Sequence, residues 1–455
     1  MSYGERSDSA TGPSRSRQPT FHLPYGDSSL RFSLPPTMQA VVAEARPATP
    51  LSDPAQAVAE ALAAPVGSPP LRELARGGER ACIVFTDITR ACPDSLLVPA
   101  LLDELEQAGV RDEDIILLCG TGLHRPSTPE EKAAKLGPRV AARYRVIDNS
   151  PQDASRLVDL GITPQGAPVR IHRAAVEADL LLSTGVVEPH QFAGYSGGSK
   201  TLAIGAAGEA LIAHTHGPQF LDDPRARLGR VDDNPFQDVV VDAARRGGLG
   251  FILNVVADDA RRILRVAAGH PQMAFRDLVA FARSIYEVPV PGPADIVIAG
   301  VGFPKDVNLY QVSRAASYLA LAAAPLVRPG GYLIVPARCQ EGAGSGVGEQ
   351  RFLKAMRDAP DVRFILGNAR RRGYPPGQQR AFLMAKVLDQ ARVVIVGSEC
   401  PELVAACKMI PAATMDEALA LAEGELGKAC RVLIVPHALL TLPVITQASD
   451  SAGTS

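Results

Sequence analysis

No stretch of 18 uninterrupted apolar residues occurs in the 455-residue chain, so the sequence offers no membrane-spanning helix. Charge of one sign is not in excess either. Lysine and arginine number 47 against 49 aspartates and glutamates, a formal net charge of −2. That balance gives no basic surface for nucleic acid or for an anionic membrane. Internal repeats of solenoid type are missing. The seven cysteines, at 82, 92, 119, 339, 400, 407 and 430, form no C-x-x-C pair, and their number is odd. A disulfide framework is therefore not expected. Lying in apolar runs, they read as small buried hydrophobes of a protein in the reducing cytoplasm. The opening MSYGERSDSATGPSRSRQ is polar and has no apolar signal core. Residues 1–19 and 439–455 are expected to be disordered tails.

What is present is ordinary for a globular protein, with 46% hydrophobic and 21% charged residues. Two short strands are expected in 20–33, around a Gly-Asp turn. From residue 81 onward, short apolar strands alternate with helices. Strands are expected at 81–85, 115–118, 144–147, 169–172, 180–182 and 251–256. Helices are expected at 96–107, 129–135, 236–246 and 274–286. After the proline-rich PVPGPAD, strands at 296–299, 332–335, 362–365, 393–396 and 432–435 alternate with helices near 309–325, 349–357, 378–390 and 415–425. Such alternation predicts an α/β protein with mainly parallel sheets covered on both faces. Two α/β domains are expected, residues 20–290 and 291–438, with the active site in the cleft between them.

In such sheets the functional loops follow the carboxyl ends of the strands. Four loops qualify. They are Asp87 to Arg90, Gly120 to Pro126, Ser183 to Gly217, and Val301 to Arg314. The third is the densest. It sets Glu188, His190, Lys200, His214 and His216 among small residues. Its Gly-Ser-Lys before a small-residue helix could present backbone N–H groups and a cation to a phosphate. It is not a Walker A motif, because Ser199 precedes Lys200. The plainer reading is a glycine-rich loop with incidental histidines. His124 and His190, each in a loop after a strand, could exchange protons with opposite faces of a substrate. His-Thr-His at 214–216 is alone a weak metal signal. Asp87 and Arg90 could be a structural ion pair, or Arg90 could clamp a carboxylate through its planar fork.

The motifs DITRACP (87–93), GTGLHRP (120–126), EPHQFAGYSGGSK (188–200), THG (215–217) and NLYQVSR (308–314) keep a known order. With them the chain resembles the nickel-pincer-nucleotide-dependent lactate racemase family, from about residue 20 to about residue 435. The resemblance implies a racemase or epimerase of 2-hydroxy acids with a two-domain α/β fold. It implies a pyridinium mononucleotide with two sulfur-bearing arms that grips Ni(II). Lys200 matches the lysine that carries this cofactor. His216 matches the nickel ligand of the protein, in a square-planar site that suits Ni(II). His124 and His190 match the acid/base pair, Arg90 the carboxylate group, and Tyr310 and Gln311 residues near the substrate. Asp87 and the Ser196-Gly197-Gly198 backbone are assigned to cofactor binding, the latter as a phosphate cradle. Arg314 stands where the family pattern has lysine, and the aromatic wall of the lactate pocket has no clear counterpart near 374–379. A larger acid such as malate is therefore in view. The expected partners are the substrate and cofactor-biosynthesis proteins. The alternatives are a non-catalytic nucleotide or nickel carrier of the same fold, or a hydrolase or dehydratase that uses the histidines without nickel.

Overall fold

Strands buried on both faces dictate the architecture. All six residues of Ala81–Thr86 are buried, so each face of their sheet needs a covering layer. The computed structural model of the chain describes residues 19–446; of the tails expected at 1–19 and 439–455, residues 1–18 and 447–455 lie outside that range. The first sheet runs Ile263–Gly269, Leu249–Ala257, Leu180–Val186, Ala81–Thr86, Ile115–Gly120, Arg145–Asp148. Neighbours are parallel except at the Ile263–Gly269 edge, which pairs antiparallel. The second sheet runs Ile410–Ala412, Arg392–Val396, Val327–Pro336, Ala294–Ala299, Arg431–Val435, Gln39–Val42, parallel throughout. The expected α/β class with mainly parallel sheets is the class observed.

The chain is divided between the two lobes differently from the expected 20–290 and 291–438. Its beginning belongs to the second lobe. The hairpin Thr20–Tyr25 and Ser28–Ser33 packs Leu23 and Phe32 against Ile296, Ile334 and Val432. Gln39–Val42 then extends the edge of that sheet. Asp306 secures the hairpin turn, its Oδ2 accepting the Gly26 N–H at 2.6 Å. Structure also continues beyond 439. Leu442–Ile445 pairs in parallel with Glu287–Val290, in a two-stranded ladder where Pro443 is tolerated.

A second difference concerns 362–365, expected as a strand. These residues open the helix Val362–Arg372. Asp361 caps it, accepting the Phe364 N–H at 2.8 Å. Ile365, Leu366 and Ala369 are its buried residues, a helical spacing that a four-residue apolar run cannot display.

In each sheet the chain leaves a central strand to one side and returns to build the other. The reversals fall between Ala81–Thr86 and Leu180–Val186, and between Ala294–Ala299 and Arg431–Val435. Crevices open at such points beyond the carboxyl ends, and the candidate loops follow three of these four strands. One apolar core joins the lobes, holding Phe236 and Phe275 of the first together with Val312 and Phe382 of the second. The cysteines are all free, and all are buried except Cys400, which is half-buried. Among the described residues no helix is long and apolar enough to cross a membrane.

Candidate active site

Asp87 leaves the end of its strand buried, with both carboxylate oxygens engaged. Oδ1 accepts from Thr89 Oγ1 at 2.7 Å. Oδ2 lies 2.6 Å from His124 Nδ1. Burial pushes this carboxyl up, but the hydrogen bonds from His124 and Thr89 and the charge of Arg90 outweigh it. The net position is below the ordinary carboxylate range. An ionised Asp87 takes the Nδ1–H of His124 and leaves Nε2 as the nitrogen that can act as a base. Each oxygen of Asp87, assigned from the sequence to cofactor binding, is engaged within the protein, one by its own loop and one by His124.

A buried ion pair underlies this loop. Asp94 is 1% exposed and meets Lys135 Nζ at 2.7 Å. Thr86 and Thr184 hydroxyls donate to the same carboxylate. Lys135 also donates to the carbonyls of Arg90 and Cys92, at 3.2 and 2.8 Å. The pair thus fixes the backbone that carries Asp87 and Arg90. Removing one partner leaves the other as an uncompensated buried charge. Lys135→Met is expected to lower unfolding stability by about 3–5 kcal/mol, measured by urea titration. A loss under 1 kcal/mol would contradict this role.

His190 has the opposite tautomer to His124. Its Nδ1 accepts the Ala193 N–H at 3.2 Å, so the neutral ring carries its proton on Nε2. Burial, then the charge of Lys200, pushes its pKa well below the ordinary value. His216 is held the other way. Its Nδ1 lies 2.9 Å from the Ile212 carbonyl oxygen and donates to it, which leaves the Nε2 lone pair free. Burial and the Lys200 charge bring its pKa down to about 4. Phe192 and Phe236 separate the two imidazoles. Phe192 meets His190 edge-on at 4.6 Å and His216 at 5.0 Å between ring centres.

Lys200 precedes a turn of π-helix, Thr201–Gly205, a form that often marks functional sites. Burial, then the nearby Arg90 charge, lowers its amine to about 7. The adjoining glycines serve packing. Gly197 and Gly198 have φ of +83° and +55°. A Cβ on Gly198 would lie 2.8 Å from the Phe275 ring. The expected phosphate cradle is not available at two of its three residues. Ser196 N–H bonds the Glu188 carbonyl at 2.9 Å, and Gly198 N–H bonds Asn254 Oδ1 at 2.7 Å. Asn254, fully buried in the neighbouring strand, was not singled out from the sequence.

The second lobe contributes Tyr310, Gln311 and Arg314 from the helix Leu309–Ala320, capped by Asn308. Arg314 donates to Tyr318 Oη at 2.9 Å and to Gln311 Oε1 at 3.4 Å. Three residues of this lobe escaped the sequence reading. Lys305 lies within the same electrostatic environment as Arg90, Glu188 and Arg314. Arg380 bonds Gln191 and Ser317. Tyr374 Oη donates to the His216 carbonyl at 2.8 Å, across the lobes. An aromatic residue does therefore stand in the 374–379 segment. No spacing rule could assign it, because its partner lies 158 positions away.

Among the described residues no group of three or more His, Cys, Asp or Glu side chains is arranged to hold a metal. A metal at His216 would need its other ligands from a bound molecule. Two oppositely polarised histidines, a lysine whose pKa is lowered, and arginines without a carboxylate partner among the described residues form a set suited to acid/base chemistry, as an enzyme would use it. The lactate racemase N-terminal domain profile matches residues 25–229, and the C-terminal domain profile residues 290–442. The lactate racemase of Thermoanaerobacterium thermosaccharolyticum is 32% identical over 418 residues, covering 91% of this chain and 96% of that one. The lactate racemase of Lactiplantibacillus plantarum is 33% identical over 388 residues, covering 84% and 89%. The solved lactate racemase apoprotein from T. thermosaccharolyticum superposes with a TM-score of 0.84 at 30% identity, over 94% of this chain and all of that one. A Thermotoga maritima protein shares the fold, with a TM-score of 0.61 at 18% identity, over 81% of this chain and 95% of that one. The chain belongs to the lactate racemase family and is an isomerase.

Proposed function

We propose that the protein interconverts the enantiomers of a 2-hydroxy acid, using a nickel-pincer nucleotide attached to Lys200. The observation that carries this reading is the proximity of a lysine amine lowered to about 7 to a neutral imidazole whose Nε2 is unengaged. An uncharged amine is the form that attacks an acyl or thioacyl carbon. A metal-ligating histidine commonly donates its other N–H to a carbonyl, as His216 does to Ile212. These residues fit the group. When bound, it supplies a site that accepts and returns the Cα hydrogen as hydride.

The chain supplies the rest. Arg90 orients the substrate carboxylate. His124 Nε2, backed by ionised Asp87, takes the hydroxyl proton of one enantiomer, and His190, entering that step as an imidazolium, gives its Nε2 proton to the oxo form of the substrate and is left as the neutral ring, the two histidines being reset by proton exchange with water between turnovers. The roles reverse in the other direction. Arg314 offers a broader grip than lysine, which favours a larger acid such as malate. A soluble site of this kind needs a small-molecule substrate and, for loading, the cofactor-biosynthesis proteins; a cytoplasmic location suits the free thiols.

The decisive experiment uses substrate deuterated at Cα, racemised in ordinary water. A hydrogen taken as a proton by His124 or His190 exchanges with water, whereas a hydride does not. Retention of the label is expected, with a trace of 2-oxo acid on quenching. Complete loss of deuterium would sink the hydride reading. Arg90→Ala is expected to raise KM, lower kcat, and cut kcat/KM about 10- to 150-fold, the worth of a charge-assisted hydrogen bond. Unchanged steady-state constants would place Arg90 outside the substrate site.

A further inference from the structure

Arg380 is a buried cation with no carboxylate partner among the described residues. It lies in the first turn of the helix Gln379–Leu388 and is 8% exposed. Nη1 donates to Gln191 Oε1 at 3.0 Å and to Ser317 Oγ at 2.9 Å. That nitrogen is thus taken up by the protein, beside the residue that follows His190. Nε is buried and makes no hydrogen bond. It belongs to the Nε/Nη2 edge, the side that grips a carboxylate with two parallel bonds. Arg72 uses that same edge on Glu104, at 3.1 Å from each nitrogen. Gln191, 4% exposed, likewise has its Nε2 buried and unbonded. The Arg380 guanidinium sits over the Tyr310 ring, 5.8 Å from its centre. Arg314, one helical turn beyond Tyr310, bonds only neutral oxygens, those of Tyr318 and Gln311.

Buried polar groups in folded proteins are almost always satisfied, and buried charges are almost always paired. Here two orphaned donors lie on hydrogen-bonded neighbours, Arg380 and Gln191, the latter adjoining His190 in the chain, with the Arg314 charge nearby. An anionic oxygen group would satisfy both donors and neutralise the charge. Building on the racemase reading, we propose that Arg380, with Gln191 Nε2 and Arg314, forms a second anion subsite. Its ligand is a carboxylate on the side chain of the substrate, which makes the substrate a 2-hydroxy dicarboxylate. Arg90 holds the carboxylate beside the reacting carbon, and Arg380 holds the remote one. A monocarboxylate leaves the Arg380 Nε and the Gln191 amide unsatisfied. A site built to bond a group strongly rejects the analogue that lacks it.

Calorimetric titration of the full chain, loaded and unloaded, with malate, lactate and inorganic phosphate tests the subsite. Malate is expected to bind tenfold or more tighter than lactate. In Arg380→Gln the malate-to-lactate affinity ratio should fall about tenfold or more. Arg380→Lys, which keeps the charge without the fork, should give an intermediate ratio, and it serves alone if the Gln variant fails to fold. Equal affinities in the wild-type protein, or a ratio unmoved in both variants, would overturn the proposal. So would Arg380-dependent binding of phosphate without that of malate, which would hand the subsite to the cofactor's phosphate. Racemisation is read separately. Racemisation of lactate with no Arg380-dependent preference for malate sinks the subsite and leaves the racemase reading standing. Arg380-dependent malate binding without racemisation of any 2-hydroxy acid sinks the racemase reading and leaves the subsite.

Discussion

Lys200→Ala is expected to abolish racemisation and to show no adduct in the intact-protein mass, even when the protein is produced alongside cofactor-biosynthesis proteins. The attachment needs an uncharged amine. An ordinary lysine, with a pKa near 10.4, is uncharged in only about one molecule in a few thousand at pH 7. Lys200, lowered to about 7 by burial and by Arg90, is uncharged there far more often than an ordinary lysine. Loading of unmodified protein should therefore slow about tenfold for each pH unit below that point, since only the free amine reacts. Lys200→Arg should fail as fully as Lys200→Ala, because a guanidinium stays charged. His216→Ala separates attachment from metal. It leaves the amine intact, so the organic adduct mass should remain while nickel, measured by elemental analysis, is lost together with activity. A Lys200→Ala protein with adduct mass and full activity would end the assignment.

These candidates could be singled out in the sequence because they fall in loops that follow strands with unmistakable apolar runs, and because their motifs resemble those of a known family. ACIVF leads to Asp87 and Arg90, IILLCG to His124, and DLLLS to His190 and Lys200. Their partners were less legible. Tyr374, Arg380 and Asn254 reach the site from far along the chain through tertiary contacts. Two of the three backbone N–H groups expected to cradle a phosphate are engaged for a related reason. A glycine-rich loop announces backbone freedom, but whether its N–H groups are free depends on a neighbour such as Asn254. In the same way the strand Gln39–Val42 was not expected from the sequence, and only its pairing with Arg431–Val435 assigns it to the second lobe. The apolar run 362–365 misled because burial in four residues fits a strand as well as a helix, and the deciding signal was the capping Asp361.

Asp87→Asn should cost the enzyme about 10²- to 10⁴-fold in kcat, the usual worth of a general acid/base, with KM little changed because Arg90 still holds the substrate. The carboxylate at 2.6 Å from His124 Nδ1 can only accept, so it fixes the proton on Nδ1. An amide in its place can donate instead, which moves the proton to Nε2 and removes the base. It also takes away the charge that stabilises the imidazolium once His124 has been protonated. The wild-type pair should survive acid well. The Asp87 carboxyl is below its ordinary range in the folded protein. Its contribution to stability is therefore complete above the unfolded value of about 3.9 and is lost only as pH falls through the lower folded value. Asp87→Asn should flatten that acid limb. The chemistry provides an internal control. Two enantiomers are equal in free energy, so the equilibrium constant is one, and kcat/KM must fall by the same factor in both directions. Damage confined to one direction would signal an assay artefact. Equal damage in both, with an Nδ1-to-Nε2 proton shift at His124 seen by nitrogen NMR, is the expected result. An Asp87→Asn enzyme within twofold of wild type in kcat would show that His124 does not depend on Asp87 for its working tautomer.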